Sequence, residues 1–259
     1  MPHAPPLTGS AARMRYNWNW GILLTEPYVW WMLEGLMWTV LVSLAGWVIA
    51  LVLGSIVGIA RTLRSRAARA VGAAYVELFR NIPLLVQLFL WYFVLPELLP
   101  RAAGMWLKRD LPFPEFWTAV VGLGTYTAGR VAEQVRAGIG AIAAGQASAG
   151  LASGLTMLQV YRHILLPVAY RIIVPALTSE FLNIFKNSSL ALTIGLLEVT
   201  SRSRQISEYT YQPIELFTEA TAIYCAIALI VTFAMRRVEK RSVLPGMITV
   251  AISSDGARR

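Results

Sequence analysis

Residues Gly145–Pro167 read GQASAGLASGLTMLQVYRHILLP, a stretch of middling polarity lying between two strongly apolar blocks. Small residues (Gly145, Ala147, Ser148, Ala149, Gly150) lead into Gly154 at its centre. Thr156–Leu166 is compatible with a helix, and Pro167 is expected to stop it. The pattern predicts a helix–turn–helix loop on one face of a membrane, presenting a short helix to a soluble partner.

Composition supports the membrane setting. Of 259 residues, 56% are apolar and only 14% charged, with mean hydropathy +0.56. Soluble domains carry about 25% charged residues. The net charge of +9 fits the Lys and Arg excess of cytoplasmic loops. No basic stripe interleaves with exposed aromatics, which argues against nucleic acid. The one cysteine, Cys225, sits in an apolar run and reads as a small core residue, and the two histidines, His3 and His163, form no metal-binding spacing.

Five segments are long enough to span a hydrocarbon core of about 30 Å: 36–60, 73–95, 116–135, 169–197 and 216–235. Residues 1–15 read as a disordered tail, 136–168 as a cytoplasmic loop and 242–259 as a cytoplasmic tail. The aromatics Trp18, Trp20, Tyr28, Trp30 and Trp31 suit the headgroup level. Leu95–Phe113, with Pro96, Pro100 and Pro112, reads as an outer loop holding a short helix near Met105–Leu107, and Thr200–Pro213 as a second outer loop. With the N-terminus outside, the inner cations (Arg61, Arg64, Arg66, Arg69, Arg136, Arg162, Arg171 and those from Arg236 onward) outnumber the outer ones. The chain is therefore expected to be all-α and polytopic, N-out and C-in.

Charges inside a span are costly and point to function. Arg130, Glu133 and Arg136 fall at i, i+3 and i+6, so that Glu133 neighbours both arginines. A structural ion pair at the membrane boundary and a functional site both remain open for Glu133 and Arg136, whereas the depth of Arg130 favours function. Glu180, Asn183 and Asn187 share one helix face, with Lys186 beside them and Ser188, Ser189 and Thr193 beyond. Such a stripe lines either a helix interface or a wet path. Gly54 and Gly58 form a GxxxG, expected to mark close helix packing. The sequence carries no phosphate-binding GxxxxGK[ST], HExxH or nucleophile elbow.

These motifs together resemble the membrane-spanning permease subunits of ATP-binding-cassette importers for polar amino acids. Gly145–Pro167 is similar to their cytoplasmic loop motif, GQxEAAxALGLSxxQxxxxIxLP, at Gly145, Gln146, Ala149, Ala152, Gly154, Leu155, Gln159, Ile164, Leu166 and Pro167. LFRNIPLLVQLFLWYF (Leu78–Phe93) resembles the family's second span and PALTSEFLNIFKNSSLALTIG (Pro175–Gly195) its fourth. YNWNWGILL and LPELLPRAAGMWLK further resemble glutamate/aspartate importers of Gram-negative bacteria.

The resemblance implies the type I importer permease fold in a bacterial inner membrane. It also implies ATPase subunits beneath, a second permease subunit that is identical or paralogous, and a periplasmic amino-acid-binding protein. ATP and Mg would be used by the ATPase, with no cofactor on this chain and no enzymatic activity of its own. Gly145, Gln146, Ser148, Ala149, Gly150, Gly154, Leu155, Thr156 and Pro167 would form the coupling segment, and Gly154 is expected where a Cβ would crowd the turn. Arg130, Glu133, Glu180, Asn183, Lys186, Asn187 and Ser188 would line the path. Ser148 replaces the motif's usual Glu, so docking should rest on shape rather than on an ion pair. Asn187 stands where many relatives have Asp, and Arg130 where an aromatic is common; both make the path more positive, which suits an acidic amino acid. Import of another polar amino acid such as glutamine is the alternative, and a self-sufficient channel or secondary transporter is the reading from a different class.

Overall fold

The computed structural model describes residues 16–242. The proposed tail at 1–15 and all of the C-terminal tail beyond Ser242 lie outside them. The described residues form helices and connecting turns: α1 (Tyr28–Ala60), α2 (Arg66–Asn81), α3 (Leu84–Leu98), α4 (101–110), α5 (Pro114–Gly140), α6 (Ala144–Ala152), α7 (Met157–Ile194), α8 (Val199–Thr210) and α9 (Pro213–Ser242). Helices α1, α7 and α9 are each long and apolar enough to cross a membrane. At 33 residues, α1 extends about 50 Å at 1.5 Å per residue, so it overruns the hydrocarbon core.

The second predicted span is not one straight helix. It breaks between Asn81 and Leu84, and α2 and α3 meet at a bend of 102°. Pro83 has no backbone N–H and pushes Ile82 into an extended conformation (ψ 126°). The side-chain amide of Gln87 repairs the break by donating 2.8 Å hydrogen bonds to the carbonyls of Phe79 and Ile82. The bent pair would supply a fourth crossing. Helix α5, 27 residues long, is too polar to be counted with the others on composition. It lies at the centre of the bundle, packed on α1, α2, α3 and α7, where lipid need not be satisfied.

Close approach explains the centre. Gly54 and Gly58 lie one helical turn apart on α1; a Cβ on them would come within 2.7 Å of the Cβ atoms of Val131 and Val135, respectively. Two helices in lipid gain nothing from hiding apolar surface from water, so this contact rests on dispersion and close backbone approach. Val42, Leu88, Leu123 and Ile184 close the core at one end, and Ala50, Val131, Val135 and Val160 at the other.

Two further expectations change. Thr200–Pro213 is mostly the packed helix α8, because Val199, Ser203 and Ile206 recur on one buried face and the Glu198 carboxylate accepts from the N–H groups of Thr200 and Ser201 (2.9 and 2.8 Å). Cys225 is not a core residue but is exposed on α9. The short outer helix is present and longer than expected, covering 101–110.

Candidate coupling loop and translocation path

The ends of the helices sort into two groups. At one end, the Tyr161 hydroxyl lies 3.0 Å from the Thr62 hydroxyl, and Thr178 donates to Glu239 (2.7 Å). The C-terminal end of α1 thus sits beside the start of α7, and that of α9 beside its middle. At the other end, the Asn19 N–H donates to Glu215 (2.8 Å) and Trp38 packs on Phe113 and Phe116. The Arg-rich segments predicted to be internal therefore gather at the end from which the loop projects.

Within the loop, α6 ends in a Schellman turn. The Leu155 N–H bonds the Gly150 carbonyl (3.1 Å) and the Gly154 N–H bonds the Leu151 carbonyl (3.0 Å). Gly154 has φ +85°, and a Cβ there would meet nothing within 4 Å. The expectation of crowding is thus corrected: glycine is required by the left-handed backbone, not by neighbours. Gly150 is the crowded position, since a Cβ would come within 2.6 Å of Ile164 and 3.1 Å of Val160. Thr156 caps α7 in a reciprocal capping box with Gln159, whose side chain accepts from the Thr156 N–H at 2.8 Å.

The geometry leaves Gly145, Gln146, Ser148, Ala149 and Thr156 exposed, along with the apolar Leu151 and Leu158, while Ala147 and Leu155 turn partly inward. Pro167 does not stop the helix. The Leu166 N–H reaches back five residues to the Tyr161 carbonyl, and this wider turn accommodates the proline ring as α7 continues to Ile194. The same device precedes Pro96, where the Leu95 N–H bonds the Leu90 carbonyl and α3 runs on to Leu98, whereas at Pro112 the wide turn from Trp106 to Leu111 ends α4. Each is a Leu-Pro pair; sequence reading took Pro167 as a stop and Pro96 and Pro112 as loop residues.

The charged residues form two linked groups. Glu133 binds Arg61 of the α1 end and Arg136 (3.0 Å), with Arg80 of α2 at 3.8 Å. Arg130 is not its partner. Instead Arg130 faces α7, 3.8 Å from Glu180, and donates to the Tyr126 hydroxyl at 2.8 Å, with its guanidinium 5.1 Å from that ring. Gln134 also approaches Glu180 (3.4 Å). Four arginines thus surround two glutamates, and an excess of positive charge remains. Arg61 and Arg80 are members that helix spacing alone could not supply, because they come from other elements; Tyr126 and Gln134, four residues either side of Arg130 on α5, were within reach of spacing and were missed.

Of the remaining path candidates, Asn183 joins this cluster through a side-chain hydrogen bond to Glu180, and Lys186, Asn187 and Ser188 are not part of it. Lys186 lines a cavity of about 360 Å³ against Phe217, Tyr224 and Cys225 of α9. Ser188 is buried and donates to the Phe185 carbonyl (2.7 Å), while Asn183 and Asn187 are half-buried.

A sequence model described as "Binding-protein-dependent transport system inner membrane component" matches residues 50–243. The chain belongs to this family. Among curated members, it is 44% identical to the glutamate/aspartate import permease protein GltJ of Escherichia coli over 90% of this chain and 98% of that one. It is 34% identical to the arginine transport system permease protein ArtQ of Bacillus subtilis (84% and 94% covered) and 30% identical to the glutamine transport system permease protein GlnP of Escherichia coli (88% and 98% covered). The fold matches a crystal structure of an amino acid ABC transporter with histidines at TM-score 0.73, with 26% identity across 87% of this chain and all of that one. It also matches an inward-facing MetNI methionine transporter at TM-score 0.69 and 21% identity, covering 85% of this chain and 100% of that one, a likeness of fold alone. As an inner membrane component of a binding-protein-dependent system, the chain is a multi-pass permease subunit, and ATP hydrolysis in such systems belongs to separate subunits.

Proposed function

We propose that this permease subunit serves an ATP-driven importer of glutamate and aspartate. The 44% identity to GltJ along nearly the whole chain carries this reading. The excess of arginine over glutamate around Arg130 and Glu133 supports it, because an anionic substrate is attracted to net positive charge in a low-dielectric site. In this reading the loop end is cytoplasmic and the N-terminus periplasmic. Exposed α6 docks in a groove of the ATPase as a short helix, with Gly145, Gln146, Ser148, Ala149 and the turn at Gly150, Gly154, Leu155 and Thr156 setting its angle. A second permease subunit completes the path, and a periplasmic binding protein delivers the amino acid. The inner membrane is the expected location. ATP and Mg act in the partner ATPase.

Cysteine cross-linking tests the docking. In a Cys225→Ser background, Ser148→Cys should cross-link to the cognate ATPase in the assembled complex, and the yield should change when ATP is bound. A Ser148→Cys chain that never cross-links, although the complex is intact, would sink the docking role. The substrate is tested separately by which amino acids the cognate binding protein takes up. Preference for glutamine would move the chain to the alternative reading.

A further inference from the structure

We propose that a cationic cavity between α7 and α9, at the loop end of the bundle, binds the phosphodiester headgroup of an anionic phospholipid. The cavity has a volume of about 330 Å³ and is lined by Arg171, Val174 and Pro175 of α7 and by Arg236, Glu239 and Lys240 of α9. Three cations converge there from two helices, and among the described residues none of the three is ion-paired. The one lining carboxylate, Glu239, accepts from the Thr178 hydroxyl at 2.7 Å. This holds it against α7 and leaves the positive charge in excess.

The apolar surroundings select a lipid over a soluble anion. Leu229, Phe233, Arg236 and Lys240 recur at helical spacing along one face of α9. Leu229 and Phe233 are 57% and 59% exposed, so an apolar strip runs from the membrane-spanning part of α9 into the basic cavity. The Arg236 guanidinium lies 5.9 Å from the Phe233 ring, at the junction of the two. An acyl chain on the strip places its phosphate level with Arg171, Arg236 and Lys240. Basic cavities between membrane helices on the cytoplasmic side suit such headgroups. The site is separate from Arg130 and from α6, and it requires only that this end of the bundle lie at a bilayer surface.

The experiment compares two double variants of equal net charge in the assembled complex, Arg171→Gln/Arg236→Gln and Arg64→Gln/Arg66→Gln. Arg64, in the turn after α1, and Arg66, the first residue of α2, lie at the same end. Lipid retention is read by native mass spectrometry after exchange into phosphatidylglycerol/phosphatidylcholine nanodiscs. Thermal stability is read in phosphatidylcholine alone and after phosphatidylglycerol is added. The expected result is phosphatidylglycerol binding weakened roughly tenfold or more in the first variant and kept in the second, with equal stability in phosphatidylcholine. Equal loss in both variants would overturn the site in favour of diffuse surface attraction, as would unchanged binding in the first. Full stabilisation by inorganic phosphate in place of lipid would reassign the cavity to a soluble anion. If the double variant is unstable in phosphatidylcholine, Lys240→Gln alone carries the same comparison.

Discussion

Arg130 of α5 stands 3.8 Å from Glu180 of α7, although helix spacing on α5 alone would have paired it with Glu133. Arg130 remains 40% exposed, so the pair joins the two helices while keeping a face of the guanidinium open. An ion pair this accessible contributes about 1 kcal/mol or less to stability. Its presentation of a bidentate donor fork matters more.

Arg130→Ala should therefore reduce glutamate uptake by the reconstituted complex at least about tenfold, equivalent to 1.4 kcal/mol. Complex assembly and thermal stability should barely change, and Arg130→Lys should recover part of the activity. Unchanged uptake in Arg130→Ala would remove the residue from the path.

The turn after α6 makes a backbone-specific prediction. A residue with a Cβ at φ +85° costs roughly 1–2 kcal/mol, with Asn the mildest and β-branched residues the worst. Gly154→Asn should retain most ATP-dependent uptake, and Gly154→Val should lose most of it with the membrane bundle still folded. Equal activity in the two variants would contradict the role of the left-handed turn, since neither side chain meets a neighbour there.

At the seam between α1 and α5, Gly54→Val should lower the unfolding temperature in detergent by an amount matching roughly 1–3 kcal/mol of overpacking. The added carbons meet the Val131 side chain and the Ala128 carbonyl, 2.7 and 2.8 Å from an ideal Cβ. Gly140→Ala, where a Cβ meets nothing within 4 Å, is the control and should not destabilise.

Glu198 gives a pH signature. It is fully buried, and burial raises its carboxyl above the usual carboxylate range, although hydrogen bonds from Tyr224, Thr200 and Ser201 oppose the shift. The folded protein therefore holds this proton more tightly than the unfolded chain does. The contribution of Glu198 to stability is fully present below the unfolded value of about 4.3 and is lost as pH rises through the higher folded value. Unfolding temperatures in detergent across this window should show that decline, and Glu198→Gln should flatten it. An unaltered pH slope in Glu198→Gln would assign the effect to another group.

The loop was the most legible part of the chain, because its small residues and central glycine constrain local backbone directly. The GxxxG of α1 was legible for the same reason. What sequence reading missed depends on partners distant in the chain. The break at Pro83 is repaired by Gln87, and the helix at Val199–Thr210 was read as a loop because its polar residues outweigh the two buried apolar ones, Val199 and Ile206. Glu133 gathers arginines from α2 and the end of α1, which no spacing on α5 could reveal. Pro167 was read as a terminus because a proline in an ordinary helix loses a hydrogen bond. The wide turn at Tyr161–Leu165 removes that conflict.

ATP-dependent uptake of labelled L-glutamate tests the central claim most directly. The permease would be reconstituted in proteoliposomes with its cognate ATPase, second permease subunit and binding protein. Uptake should require all components and ATP, and should fall to background with Gly154→Val in the permease. Glutamate uptake by the permease alone, without ATPase or ATP, would contradict the account.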